Sequence, residues 1–341
     1  MNKPRIVIVG PGVVGQATGK AFISKGIDVT YIGREDAVKK LRKEGYSAFT
    51  REELNSNNYD YDITMFTVPT PTMRGKINLD ALELASIDLG KRLKGTKNYH
   101  VVVVKSTVPP GTTENLVIKT VEEYSGKKVG KDFGVCMNPE YLREVSAYED
   151  TVNAWLITIG EYDKKSGDIL RSVYEGFEAP IYNTTIKEAE LQKYVHNLYN
   201  AAKITFFNEM REIALAIGAD SEKIFKLTTI SCEGMWNPKY GTKDFGAYSG
   251  ACLPKDTQAL YHWARTRGFD VDLLGTVIST NEQIKEKNLI RKYTRLAAEK
   301  NNRETVRVEK LSNGQSNGNG NSHGTKEPHT KTQYADLPLE L

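Results

Sequence analysis

The sequence predicts a two-part α/β protein: a doubly wound domain over residues 1–183, then a mainly α-helical domain over residues 184–300 with one long spine helix. Three observations carry this expectation. Short β-branched runs alternate with helically spaced segments through the first half of the chain. A glycine cluster stands where the first of those runs gives way to a helical pattern. From Thr184 onward only the helical period remains.

The runs 5–9, 28–32, 62–67, 100–105, 133–137 and 155–160 are strand-like, and segments 79–93 and 113–123 between them have helical spacing. Strands separated by helices imply βαβ units and a parallel sheet covered on both faces.

Gly10-Pro11-Gly12-Val13-Val14-Gly15 follows the first run and opens a helix. In that setting glycines permit a tight turn and let a pyrophosphate approach the helix N-terminus. A bare G-x-G-x-x-G is weak evidence. At the head of several βα units it becomes the mark of a Rossmann-type dinucleotide site, and it assigns Gly10, Gly12, Val13, Val14 and Gly15 to the cofactor. Where NAD sites usually place an acidic residue for the ribose, about twenty positions on, this chain reads Tyr31-Ile32-Gly33-Arg34. NAD is the expected cofactor, with NADP open because Arg34 can pair with a 2′-phosphate. Arg34 can equally face solvent or stack on adenine.

Thr185-Ile186-Lys187-Glu188 is a capping box, and apolar residues recur through Leu191, Tyr194, Val195, Leu198, Ile204 and Ile213 until Gly218. The expected helix, 186–217, would be about 48 Å long at 1.5 Å per residue, more than a small domain needs. It is expected to form the domain spine and the contact of a homodimer. Further helical patterns cover 220–229, 254–267 and 273–298. Residues 301–341 are polar, with five basic and five acidic side chains, and are expected to form a disordered, solvated tail.

Over 341 residues, 47 Lys+Arg and 43 Asp+Glu leave a net charge of +4 with the signs interspersed, so neither nucleic acid nor a membrane surface is an expected partner. No apolar run approaches the roughly 18 residues of a membrane span. The first apolar stretch is too short for a secretory segment, so a cytoplasmic protein is expected. Three widely spaced cysteines make neither a disulfide framework nor a zinc pattern, and no metal is expected. Cys136 in a strand and Cys232 beside Ser231 read as small packed side chains.

Cys252 differs from the other two. In Gly246-Ala247-Tyr248-Ser249-Gly250-Ala251-Cys252-Leu253-Pro254-Lys255-Asp256 it follows a glycine-bearing loop and precedes a proline suited to a helix's first turn. A helix N-terminus with Lys255 nearby favours thiolate over thiol. Spacing alone leaves buried filler and nucleophile equally open.

With that loop in view, the chain resembles the UDP-glucose/GDP-mannose dehydrogenase family. In family order, the other pieces are Gly10 to Gly15, Val68-Pro69-Thr70-Pro71, Ser106-Thr107-Val108-Pro109-Pro110-Gly111-Thr112, Asn138-Pro139-Glu140-Tyr141-Leu142-Arg143-Glu144 and Glu190-Leu191-Gln192-Lys193-Tyr194-Val195-His196-Asn197. The resemblance covers about residues 3–298. It implies oxidation of a nucleotide-sugar primary alcohol to a carboxylate with two hydrides passed to two cofactor molecules, UDP-glucose to UDP-glucuronate being the first expectation.

The resemblance also implies roles. Cys252 would capture the aldehyde as a thiohemiacetal and carry the thioester. Lys193 and Asn197, i and i+4 on the spine helix, would share a face and stabilise the oxyanion. Asp256 would help activate the hydrolytic water, and Glu140 and Thr107 would place water and assist proton transfer. Pro69, Thr70 and Thr107 would line the cofactor. Glu140, Tyr141, Leu142, Glu144, Lys193, Asn197, Phe245, Tyr248 and Gly250 would hold the nucleotide-sugar. His196 lacks a second ligand at supporting spacing and reads as structural or solvated.

Family members continue past the central helices into another α/β domain, whereas some forty polar residues follow Ala298 here and are not expected to form it. Ser249 stands where the family commonly has glycine. Two other readings therefore stand beside the enzyme: a catalytically impaired member serving as a partner or regulatory subunit, and an NADP-linked β-hydroxyacid dehydrogenase. The latter explains Lys193 and Asn197 but leaves Cys252 idle.

Overall fold

The computed structural model describes residues 3–54, 59–73, 75–242 and 246–312, with side chains as far as residue 296. The chain divides into two compact units, residues 1–204 and 205–341.

The first unit is an eight-stranded sheet of β1 (Ile6–Val9), β2 (Val29–Gly33), β3 (Ala48–Thr50), β4 (Ile63–Phe66), β7 (His100–Val104), β8 (Phe133–Met137), β9 (Ile157–Glu161) and β10 (Ile181–Thr185). A two-stranded hairpin, β5 (Thr72–Met73) with β6 (Lys76–Ile77), stands apart. The order is β10-β9-β8-β7-β4-β1-β2-β3, so the six strands from β3 to β8 have the doubly wound order that reverses between β1 and β4. Helices α1 (Val13–Ser24), α2 (Glu35–Lys43), α3 (Asp80–Leu93), α4 (Lys119–Ser125), α5 (Ala147–Val152) and α6 (Lys164–Val173) connect them, and a π-helical stretch, Thr113–Ile118, leads into α4.

Alternation along the strands fills both faces. In β1, Ile6 and Ile8 join one core cluster and Val7 the other; in β7, Val101 and Val103 divide from Val102 and Val104 in the same way. Strands β4, β7 and β8 are buried throughout, as strands covered on both faces must be.

The sheet is not parallel throughout, as the alternation predicted. β9 runs antiparallel to β8, pairing Glu161 with Cys136, and β10 runs parallel to β9. The connection from β8 to β9 contains only short helical turns, and its helix α5 packs against α1, so the chain turns back instead of crossing the sheet. β10 escaped the sequence because it is an edge strand with exposed residues, among them Tyr182 and Asn183, and offers no apolar run.

Helix α7 (Ile186–Ala216) begins at the expected capping box: the Thr185 amide donates to Glu188 Oε2 at 2.9 Å, and the Glu188 amide donates to Thr185 Oγ1 at 3.3 Å. The division into compact units falls inside α7. The reason is packing: Ile186 and Ala189 belong to the first unit's core, and a Cβ on Gly160 would come within 2.6 Å of Ala189 Cβ.

The second unit contains the rest of α7 with α8 (Ser221–Ser231), α9 (Glu233–Trp236), α10 (Leu253–Arg265) and α11 (Asp272–Ser312). Its core cluster is Ile213, Ala264, Val271 and Leu274. α10 and α11 pass so closely that a Cβ on Gly275 would lie 2.9 Å from the Tyr261 ring. α11 continues to Ser312, twelve residues into the segment expected to be disordered; the remainder of that tail lies outside the described residues.

Candidate active site

The glycine cluster forms a cradle held from behind. Gly10 has φ +95°, a conformation that strains a side chain, and a Cβ there would meet the Val68 backbone at 2.8 Å. Thr67 Oγ1 donates to the Gly10 carbonyl at 2.7 Å, joining the ends of β1 and β4 where the strand order reverses. A Cβ on Gly15 would strike Gly10 O and Thr67 Oγ1, both at 2.6 Å, so glycine lets α1 press onto the strands. Gly12 differs. It is the N-cap of α1, no side chain caps it, no acidic residue occupies the first turn, and a Cβ there would meet open space. A bare helix N-terminus with room for close approach fits a pyrophosphate, so these residues suit a dinucleotide.

The neighbouring loops are fastened together. Ser106 Oγ donates to the Val68 carbonyl at 2.7 Å, and Thr70 Oγ1 donates to the Thr107 carbonyl at 2.8 Å. The structure thus brings Pro69, Thr70 and Thr107 to one edge of the switch point. At the end of β2, Arg34 occupies the N-cap position of α2 without capping it through its side chain, and its exposed guanidinium lies 3.8 Å from Asp36.

A second group gathers where the β8 loop meets α7. Lys193, only 4% exposed, donates from Nζ to the Glu140 carbonyl at 2.6 Å and to Glu140 Oε1 at 2.8 Å. Glu140 Oε2 accepts the Leu142 amide at 2.8 Å. Two of the ammonium's three donors are therefore committed to Glu140. Tyr141 donates to Thr158 Oγ1 at 2.9 Å and also bonds Gln192. Asn197 lies one turn beyond Lys193 and is exposed. His196 packs its ring 5.1 Å from that of Tyr141, and no cluster of metal-ligating residues occurs among the described residues. Glu144 is exposed on the same loop. The loop is braced by Arg143, whose side chain makes two bonds to Asp150 and holds that carboxyl far below the usual range.

Sequence reasoning missed Glu190. It is fully buried and accepts the amides of Gly111 and Thr113, the latter at 2.8 Å, so α7 grips the loop that carries Thr107. The signal was a carboxylate three residues before Lys193 in the same motif.

In the second unit Cys252 is the N-cap of α10, with Pro254 in the first turn as expected, and the thiol is exposed. The Asp256 amide donates to the Cys252 carbonyl at 2.8 Å, which sets the two side chains one helical turn apart. The ammonium of Lys255 is paired with Asp256. Gly250 has φ +88°, which requires glycine there. Half-buried Tyr248 donates its amide to Asn281 Oδ1 at 2.8 Å and accepts Asn281 Nδ2 at 3.1 Å, so α11 fixes the approach to the thiol. Asn281 was missed because its contact lies 33 residues away. Phe245 lies outside the described residues.

Of the other cysteines, Cys136 is buried, and burial pushes its thiol up to about 12. Cys232 is exposed at the junction of α8 and α9, not packed as expected, because that junction is a surface turn.

Comparison with known proteins adds three findings. The NAD binding domain of the UDP-glucose/GDP-mannose dehydrogenase family matches residues 32–178, and that family's central domain matches residues 187–283. A GDP-mannose 6-dehydrogenase of Pseudomonas syringae pv. tomato is 35% identical over 297 residues, covering 81% of this chain and 68% of the relative. A UDP-glucose 6-dehydrogenase of Haloferax volcanii is 30% identical, covering 83% of this chain and 70% of the relative. Among solved structures, a ternary complex of GDP-mannose dehydrogenase from Pseudomonas aeruginosa superposes with a TM-score of 0.79 at 32% identity, covering 84% of this chain and 71% of that one.

Proposed function

The chain belongs to the UDP-glucose/GDP-mannose dehydrogenase family, as an NAD-binding nucleotide-sugar 6-dehydrogenase, and from that premise we propose which sugar it oxidises and which residues act. GDP-mannose is placed first, because the relatives named for it are 34% to 39% identical; those named for UDP-glucose, the sugar favoured by the sequence, are 30% and 31% identical and come second. NAD is preferred to NADP because Asp36 puts a carboxylate beside Arg34, where a 2′-phosphate would be repelled.

NAD, held by the Gly10 to Gly15 cradle at the start of α1, would supply the hydride acceptor for each of the two oxidations, one molecule for each. The first converts the hexose primary alcohol to an aldehyde, the alcohol proton passing to solvent through groups such as Glu140 and Thr107. An aldehyde has no tetrahedral carbon from which to lose the second hydride. Addition of the Cys252 thiolate restores one as a thiohemiacetal, and hydride loss then gives a thioester. Lys193 and Asn197 supply donors to the oxygen of the reacting carbon. Water, activated with the help of Asp256, cleaves the thioester to a carboxylate and returns the thiol. Glu140, Tyr141, Leu142, Glu144, Phe245, Tyr248 and Gly250 orient the substrate.

The observation that carries the reading is the pairing, in one sequence, of a buried ammonium with an exposed thiol at a helix start. We further propose a homodimer, because Leu198, Tyr199 and Ile204 on α7 and Leu227 and Ile230 on α8 are each more than half exposed. Its setting is cytoplasmic, where exposed thiols stay reduced. Among the described residues no helix is long and apolar enough to cross a membrane.

The test is cofactor reduction with GDP-mannose, UDP-glucose and simple hydroxy acids. About two NADH per sugar are expected, and Cys252→Ala is expected to lower four-electron turnover by at least about 10^3-fold. Cofactor binding without turnover on any substrate would overturn the enzyme in favour of a partner subunit. One reduced cofactor per hydroxy acid, indifferent to Cys252→Ala, would overturn the nucleotide-sugar.

A further inference from the structure

The proposed chemistry leaves a buried amine unused. Lys105, at the end of β7, is 6% exposed and donates from Nζ to Asn138 Oδ1 at 2.9 Å, with the Asn138 carbonyl at 3.4 Å. Tyr174 donates its hydroxyl to the same Oδ1 at 2.5 Å, and Asn138 Nδ2 donates to the Thr158 carbonyl at 2.8 Å. The Asn138 amide, 1% exposed, is thus gripped from β7, β9 and the end of α6. Two residues later the same turn delivers both Glu140 oxygens that hold Lys193. Burying an amine is costly, and an aliphatic side chain would fill this space without that cost, so the position is occupied for its donors.

We propose that Lys105 is a positioning residue: by tying the ends of β7 and β8 together through Asn138, it fixes the turn 138–141 that presents Glu140 to Lys193. The inference rests on the reading of Glu140 and Lys193 as groups that act on the substrate. The ionisable groups around Lys105 are Glu140 on the β8 loop, Lys193 on α7 and Tyr174 after α6, and Asp150, paired with Arg143, lines the same cavity. Burial pushes the Lys105 amine down to about 8; Glu140 opposes this and Lys193 adds to it. Both the ammonium and the free amine donate hydrogen bonds, so the tie survives that titration and is not a pH switch.

The experiment uses the full chain with Lys105→Met and Lys105→Ala. With the nucleotide-sugar that the wild type oxidises, kcat is expected to fall at least tenfold while the Kd for NAD stays within twofold. Ethylammonium is expected to restore Lys105→Ala several-fold through the cavity that Lys105 lines, and to leave Lys105→Met unchanged. Equal losses in both variants with no rescue would overturn the proposal in favour of plain packing. A readout independent of turnover is NMR of lysine labelled at Cε and Nζ, with Lys193 assigned from Lys193→Met. A folded Lys105→Met is expected to shift the Lys193 signal, and an unchanged signal overturns the proposal. The NMR result counts for or against the tie even if the wild type oxidises no sugar, an outcome that would sink only the functional reading. If neither variant folds, the wild type decides: Lys105 Nζ protons are expected to exchange slowly and show contacts to the Asn138 amide, and exchange as fast as that of surface lysines overturns the tie.

Discussion

The two units of this chain handle burial in opposite ways. In the first, β4, β7 and β8 are buried along their whole length and divide their side chains between clusters on the two faces of the sheet. In the second, the core cluster is Ile213, Ala264, Val271 and Leu274, while Leu227, Ile230, Trp236 and Tyr240 each leave half or more of their surface exposed. Apolar surface facing water forgoes roughly 25 cal/mol per Å2 that burial would supply. The sheet of the first unit is closed on both faces, whereas the helices of the second leave apolar side chains open to water. The candidate chemistry divides along the same line. Lys193 and Glu140 are already locked together, whereas Cys252 and Asp256 stand exposed.

The contrast is sharpest at the two Lys–acid pairs. Lys193→Met leaves the Glu140 carboxylate without its partner in a largely buried site and should cost about 3 to 5 kcal/mol. Lys255→Met removes a partner from Asp256 at the surface and should leave the melting temperature unchanged. Thermal unfolding of both variants checks this; equal losses would break the distinction.

The closed core of the first unit also carries a buried histidine. His100 bonds the Tyr61 carbonyl through Nδ1 and Thr64 Oγ1 through Nε2, and burial pushes it down to about 4. The unfolded chain, near 6.5, binds the proton first, so stability should fall as pH drops from about 6.5 to about 4, by about 3 kcal/mol in all. Denaturant titrations of the wild type should show this slope, and His100→Gln should flatten it.

The open face of the second unit is expected to yield to charge. Leu227→Asp with Ile230→Asp should weaken a dimer by about one to two orders of magnitude in Kd without lowering helical content, read by analytical ultracentrifugation and circular dichroism. A wild type that is monomeric at micromolar concentration would break the comparison, because the apolar face would then be stable in water.

The smallest effect separates cradle from scaffold within the first unit. Gly12→Ala meets open space and should keep the fold while weakening NAD binding by about tenfold, whereas Gly15→Ala strikes Gly10 and Thr67 and should lower the melting temperature as well. Calorimetric binding beside thermal unfolding distinguishes the two.

Much of this protein was legible in its sequence because the signals were local. β-branched runs fixed the central strands, the spacing Gly10 to Gly15 fixed the cradle, Thr185 and Glu188 fixed the start of α7, and Pro254 fixed the helix that begins at Cys252. Each depends on backbone stereochemistry or on a side-chain period within a few residues. Tertiary structure alone decided the reversal of β9, the inclusion of the first turns of α7 in the sheet's core, the grip of Lys193 on Glu140 across 53 residues and that of Lys105 on Asn138 across 33. These rest on which buried polar groups meet once strands are in register. Desolvation makes an unpaired buried polar group costly, and only the folded chain settles which partner each of these groups finds.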